Sequence, residues 1–237
     1  LADRSRSYVA ALVQPFRERV RVNCPVQRVD RMNNQVRLTL ADGSTQYFDH
    51  VVLATHADQS LAMLADASET EKEVLGGFPY QSNDAVLHTD ASVLPKRRRA
   101  WASWNYHIPA SNQDRVCVTY DLNRLQSLGL PGPLCLTVNP SCEINERKVL
   151  ARFQFQHPVF SSQSLISQNR YDEINGQGSI SFCGAYWGYG FHEDGINSGL
   201  AVGKQFGLNL DSLASSSRQA DNAAHQPESE STPVGWS

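Results

Sequence analysis

The sequence predicts an α/β fold, α+β overall, in which one domain consists of two separated pieces with an antiparallel sheet inserted between them. Three observations predict it. The apolar block Val51-Val-Leu-Ala54 reads as a strand buried on both faces of a parallel sheet. Between Gly76 and His157, strand-like segments follow one another across Pro, Gly and Asn turns, the pattern of an antiparallel sheet. From Gly178 to Gly203 the chain returns to strand, glycine-lined loop and helix, so the first architecture resumes. On this reading residues 1–70 and 178–210 form the split domain and 71–177 the inserted one. The stretch 211–237, rich in Ser, Gln, Asn, Glu and Pro, is expected to be disordered.

Taken in order, Tyr8, Val9, Leu12, Val13 and Phe16 recur with a helical period from Ser5, and Pro15 marks a kink or early end. Val20–Val26, Gln27–Met32 and Gln35–Leu40, with turns at Asn33-Asn34 and Asp42-Gly43, build a small antiparallel meander. Its return leg runs into Val51–Ala54. Ala54 and Thr55 then sit at the carboxyl end of that strand, where open α/β sheets place ligands. His56, just beyond, is open to two readings, a catalytic base or a spacer and cap. Helices follow over Asp58–Leu64 and Ser68–Leu75, the second with Ser68 as cap and Glu71 three residues on. The five expected strands are Tyr80–His88, Arg99–His107, Arg115–Tyr120, Leu134–Val138 and Val149–His157, with one helix near Leu122–Leu128 and another over Ser161–Ile174.

Composition narrows the function classes. With 237 residues, 41% of them hydrophobic, the chain can bury one substantial core or two modest ones. A net charge of −3 supplies no long-range pull toward nucleic acid or an anionic membrane. Lys96-Arg-Arg-Arg99, between Pro95 and Trp101, reads as a solvated turn. Cys24, Cys117, Cys135, Cys142 and Cys183 are odd in number and form no C-x-x-C pair, which favours reduced thiols in a cytoplasmic setting over disulfides or a metal site. No apolar run reaches transmembrane length and no signal peptide is recognisable, so the expectation is no membrane span. The chain opens on Leu1, and we read it as a fragment.

The chemistry concentrates in Phe182-Cys-Gly-Ala-Tyr-Trp-Gly-Tyr-Gly-Phe-His-Glu-Asp-Gly195. A helix starting near Glu193 points its unpaired N–H groups and positive dipole end at the loop, which suits an anion or an electron-rich ring edge. Gly184, Gly188 and Gly190 let a flat or phosphorylated ligand approach backbone, the alternative being a merely flexible loop. Gly199, Gly203 and Gly207 are spaced for close packing of one helix face on a sheet. No G-x-G-x-x-G and no G-x-x-x-x-G-K-[ST] occurs in a dinucleotide or P-loop setting, and the first β-α-β unit that a doubly wound sheet needs is absent from these residues.

Glu193-Asp-Gly-Ile-Asn-Ser-Gly199, Gly184, Cys24-Pro25-Val26 and the strand ending at Thr55 together resemble the flavin amine oxidase superfamily, whose FAD domain is interrupted by an antiparallel substrate domain. Arg99–Asn105, Val116–Gln126, Leu136–Pro140, His157–Val159 and Phe182–Gly195 are similar to a subgroup of FAD-binding oxidoreductases that stand alone in bacteria or form the N-terminal half of plant cyclopropane-fatty-acid synthase polypeptides. The resemblance implies an incomplete Rossmann-like FAD domain and the loss of a G-x-G-x-x-G unit before Leu1. It also implies FAD contacts at Val26, Ala54, Thr55, Gly184, Ala185, His192, Glu193, Asp194 and Ile196. A small-molecule or lipid substrate is implied as well, with a lipid-modifying enzyme as a partner. The family's lysine on the first substrate-domain strand has no counterpart, Asp84 falling near its place, and Cys183 is placed wrongly for covalent flavin, so an amine substrate is not supported. Phe191 stands where some members carry tyrosine. Phe191, Tyr189, Trp187 and Tyr186 either line the site or pack on one another, and His192 is an acid–base group or a buttress. Trp101 and Trp104 point to opposite faces, so at most one meets substrate. A FAD-dependent oxidoreductase is the expected function, the alternative being a non-catalytic flavin-binding or scaffold module.

Overall fold

A computed structural model describes residues 4–108 and 115–209. The tail expected to be disordered, 211–237, lies outside the described residues. In chain order the elements are α1 (Arg4–Val13), β1 (Val26–Arg31), β2 (Val36–Leu40), β3 (Thr45–Phe48), β4 (Val51–Leu53), α2 (Ala57–Met63), α3 (Glu69–Gly76), β5 (Tyr80–His88), β6 (Trp104–His107), β7 (Cys117–Asp121), α4 (Leu122–Leu125), β8 (Cys135–Val138), β9 (Val149–Pro158), α5 (Ser162–Gln168), α6 (Tyr171–Ile174), β10 (Ile180–Phe182) and α7 (His192–Gln205). The class is mixed α/β with antiparallel sheets. Two compact units are present, Leu1–Phe78 with Phe160–Ser237, and Pro79–Val159. Residues 71–78 and 160–177, assigned to the inserted domain by sequence, cluster with the first unit because α3 packs on α2, α5 and α6.

In the first unit, β1, β2 and β3 form the expected antiparallel meander. Asp42-Gly43 turns it as its chemistry requires, with Gly43 at φ +80° and the Asp42 carboxylate accepting from Ser44 N–H at 2.9 Å. Val29 and Val36 are fully buried beneath it. The segment 20–24, expected to extend the meander, is not strand. β4 leaves the meander and pairs in parallel with β10, Val51 opposite Ile180 and Leu53 opposite Phe182. The expectation of a strand buried on both faces is corrected at Val52, which is 43% exposed, whereas all three β10 residues are buried. The Ser68 capping box of α3 forms as read, with Glu71 N–H donating to Ser68 Oγ at 3.2 Å and Ser68 N–H to Glu71 Oε2 at 2.8 Å. Buried Glu71 also holds Arg31, fixing α3 to β1. His56 takes the capping role at α2, its N–H reaching Gln59 Oε1 at 3.3 Å.

One helix was expected over 161–174. Two form, because Arg170 N–H closes a tight bond to Ser167 O at 3.0 Å and its guanidinium turns aside to Glu173 and Glu73. The α7 glycines do not pack a helix face on a sheet. A Cβ on Gly199 would meet nothing within 4 Å, and Gly207, at φ +73°, follows the helix end.

The second unit is one antiparallel sheet in the order β6-β7-β8-β5-β9. The strand expected from Arg99 starts only at Trp104, because the Asn105 amide closes a loop with Ala102, donating to its O at 2.7 Å. One sheet face carries a buried core of Val86, Val93, Leu94, Cys135 and Ile144, with Trp101 packed on it. A row of buried polar groups crosses the same strands. His88 Nδ1 accepts from Asp90 N–H at 3.1 Å, so its proton sits on Nε2, 2.8 Å from Thr137 Oγ1. Thr137 meets Thr119 at 2.8 Å, and Thr119 faces His107 Nε2 at 3.4 Å. Asp90 accepts from Asn145 N–H, Ser92 N–H and Lys148, which together hold its carboxyl well below the ordinary range, the Asn145 bond first.

Candidate functional site

Parallel pairing of β4 and β10 brings two carboxyl ends side by side, and the Cys183 N–H extends the ladder to Leu53 O at 3.0 Å. Ala54 and Thr55 therefore neighbour Gly184 and Ala185, the arrangement in which open parallel sheets take ligands. Beside β4 lies an apolar cavity of about 600 Å³. Val26, Ala54 and Thr55 all line it, with Leu38, Val51, Val52 and Met63 supplying its apolar wall. That volume and lining suit a flat, largely apolar ring system. Thr55 is fixed there by its hydroxyl, 2.8 Å from Ser60 Oγ.

The second group of candidate residues lies between β10 and α7. The Gly184 N–H is held by Ser198 Oγ at 2.8 Å, and Ser198 in turn donates to Gly195 O at 2.8 Å. Each loop glycine has a reason inside the chain. A Cβ on Gly184 would lie 2.5 Å from the Tyr186 ring, and one on Gly188 would lie 2.3 Å from the Asp194 carboxylate. Gly190 stands at φ +87°. Asp194 accepts from Tyr189 N–H at 3.0 Å and Phe191 N–H at 2.9 Å, so the first-turn carboxylate folds the loop back over the helix start. His192 is exposed, with Nδ1 3.0 Å from the Tyr8 hydroxyl on α1. Glu193 is also exposed, and Ile196 and Phe191 are 50% and 60% exposed. A rim of two apolar side chains, an imidazole and a carboxylate thus surrounds the start of α7.

The four aromatic candidates divide. Tyr186 and Trp187 turn inward and meet Phe78 at ring distances of 4.9 and 5.2 Å, with Tyr171 4.9 Å from Trp187. For these two the packing alternative holds. Tyr189 and Phe191 face outward. Cys183 is buried and its thiol is pushed up by burial, leaving it inert as a nucleophile. All five cysteines are free. No helix among the described residues is long and apolar enough to cross a membrane, and none of their His, Cys, Asp and Glu side chains cluster to hold a metal ion.

Sequence reasoning missed the residues that shape the loop. Gln168 on α5 donates through Nε2 to Tyr186 O at 2.9 Å and Gly188 O at 2.6 Å. Asn175 accepts the Phe182 N–H at 2.7 Å.

In the second unit, the sheet face opposite the core presents Trp104, Tyr106, Tyr120, Leu136, Phe153 and Phe155. Trp104 and Tyr106 are 58% and 61% exposed, and Phe153 and Phe155 stack at 5.7 Å. Among the described residues, no strand position on this face carries Asp, Glu, Lys or Arg. Trp101 packs with the core on the other side, but the turn before β6 puts it there and not strand alternation, since the strand begins only at Trp104.

Comparison with known proteins bears on the fold and the superfamily. A family model described as "Flavin containing amine oxidoreductase" matches residues 5–97, less than half of the chain. The match covers the meander, β4, α2, α3 and β5, and supports the flavin amine oxidase superfamily and a flavin cofactor. No curated protein matches the sequence. Among solved structures, the chain is similar to a reduced UDP-galactopyranose mutase, with a TM-score of 0.54 and 12% identity over 78% of this chain and 47% of that one. It is also similar to a CLA-producing fatty acid isomerase from P. acnes, with a TM-score of 0.50 and 14% identity over 74% of this chain and 45% of that one. At such identities the likeness shows the fold, and the chain spans less than half the length of either structure.

Proposed function

We propose that the chain is part of a FAD-dependent oxidoreductase of the flavin amine oxidase superfamily that acts on an apolar, lipid-like substrate. The observation that carries the reading is the meeting of two carboxyl strand ends with the start of α7, beside an apolar cavity lined by Val26, Ala54 and Thr55. Those three residues would hold one apolar end of the cofactor, while Gly184, Ala185 and the first turn of α7 would stand against its more polar parts. A bound flavin supplies hydride acceptance at its N5. The chain's own residues would bind and orient it, Phe191 and Ile196 excluding water, His192 holding a proton beside Tyr8, and the α7 dipole favouring negative charge. The uncharged aromatic sheet face of the second unit supports an apolar substrate over an amine. The resemblance of Arg99–Asn105 and Phe182–Gly195 to the N-terminal half of plant cyclopropane-fatty-acid synthases supports the same chemistry and a lipid-modifying partner. The test is anaerobic spectroscopy of the intact protein as purified from its own cells. The expected result is yellow protein with stoichiometric FAD, bleached by an acyl lipid. Protein without flavin, or flavin inert to every lipid offered, overturns the proposal.

A further inference from the structure

The basic run Lys96–Arg99 is solvated as read, all four residues being exposed. Arg98 begins a short 3₁₀ turn, and its guanidinium lies 5.4 Å from the centre of the Trp101 ring. Trp101 is held in turn by its indole N–H, which donates to Pro95 O at 2.8 Å. Across from it, Arg124 pairs with the buried Asp121 carboxylate at 3.2 Å. A third wall is the loop Leu130–Pro133, and it is rigid. Asn123 donates to Leu130 O and Gly132 O, each at 2.9 Å, and accepts from Leu130 N–H at 3.1 Å, while two prolines fix the backbone dihedrals on either side of Gly132. Arg98, Trp101, Arg124 and this loop enclose a cleft of about 200 Å³.

The charge within the cleft does not cancel. Asp121 is satisfied by Arg124, whereas no carboxylate among the described residues pairs with Arg98 or with its neighbours Lys96, Arg97 and Arg99. One guanidinium, that of Arg98, is therefore left uncompensated beside the Arg124–Asp121 pair in one small, pre-formed hollow. Arginine forks match tetrahedral oxyanions, and walls fixed before binding lower the ordering cost. We infer that this cleft is a binding site for a phosphate monoester, free or carried on a lipid headgroup.

The experiment follows the Trp101 indole N–H resonance of the full chain, identified by its loss in Trp101→Phe, during titration with inorganic phosphate. A saturable shift is expected, weakened at least tenfold in Arg98→Gln and unchanged in Arg147→Gln, which removes the same charge from the same unit outside the cleft. Arg98 is exposed, so its variant keeps the fold, and circular dichroism checks this. Sedimentation with vesicles distinguishes the source. Retention on phosphatidic acid but not phosphatidylcholine, lost in Arg98→Gln and reversed by phosphate, assigns a lipid headgroup. Equal behaviour of the two vesicles alongside the phosphate shift assigns a soluble ester. No shift, or equal weakening in Arg98→Gln and Arg147→Gln, overturns the site.

Discussion

In the Pro79–Val159 unit a row of buried polar side chains closes on itself within the sheet, whereas in the unit holding the candidate site a set of polar side chains closes on the backbone of one loop. His88, Thr137, Thr119 and His107 sit on four successive strands of one sheet and satisfy each other in a row. Gln168, Asn175, Ser198 and Asp194 come from two helices, α5 and α7, and the segment before β10, and all of them grip the segment from Phe182 to Phe191. A self-satisfied sheet is a stable base, while a loop held from outside is shaped for the group it surrounds. The contrast teaches that the first unit concentrates its precision at the carboxyl ends of β4 and β10, which form a two-stranded parallel sheet among the described residues.

The harshest way to break the comparison is to remove the side chain that anchors that narrow sheet. Phe182 is fully buried, so Phe182→Ala should cost about 3–5 kcal/mol. Hydrogen exchange should accelerate through β4, β10 and the Gly184 loop while β5, β7 and β8 keep their protection. Uniform loss of protection in both units would show that the second one does not stand by itself.

The corresponding break in the second unit is Asp90. Asp90→Ala leaves the Asn145 and Ser92 N–H groups without an acceptor and should cost about 2–3 kcal/mol in urea unfolding. Its pH dependence has a definite sign. The folded carboxyl is held below its unfolded value of about 4, so its contribution is complete above that pH and lost as the pH falls toward the folded value. Wild type should therefore lose stability in the second unit below about pH 4, and Asp90→Asn should lose less over the same range. An identical acid profile in the two proteins would contradict the assignment.

A gentler probe is Thr137→Val, which keeps the shape and removes the hydroxyl. His88 Nε2–H and Thr119 then lack their shared partner, and a loss of about 1–2 kcal/mol is expected. Thr39→Val on the partly exposed meander gives the reference, with a change within about 0.5 kcal/mol.

How much of this was legible in the sequence follows from how local each signal is. The Ser68 and Glu71 spacing and the Asp42-Gly43 turn act within a few residues, and each appears where it was read. Val26, Ala54 and Thr55 line one cavity although the whole meander and β4 lie between the first and the other two, a long-range placement that only the resemblance implied. Gln168 left no trace in the local pattern, since its partners are backbone carbonyls 18 and 20 residues away. The break at Arg170 was hidden for the same reason, its guanidinium answering to Glu73 far upstream. The loop glycines were legible as necessary, but not their cause. The ring of Tyr186 and the carboxylate of Asp194 stand where a Cβ on Gly184 or Gly188 would lie.

That cause separates two glycines that look alike in sequence, and the smallest expected effect tests it. Gly184→Ala drives a methyl group into the Tyr186 ring, which is pinned by Phe78 and Trp187, so it should destabilise by about 1–3 kcal/mol. Gly199 lies within α7 with open space where its Cβ would stand, so Gly199→Ala should stabilise by about 0.5–1 kcal/mol through helix propensity alone. Thermal unfolding of the pair reads both signs in one experiment. If Gly199→Ala also destabilises, something covers that face of α7 in solution, and the helix has a neighbour that the described residues do not contain.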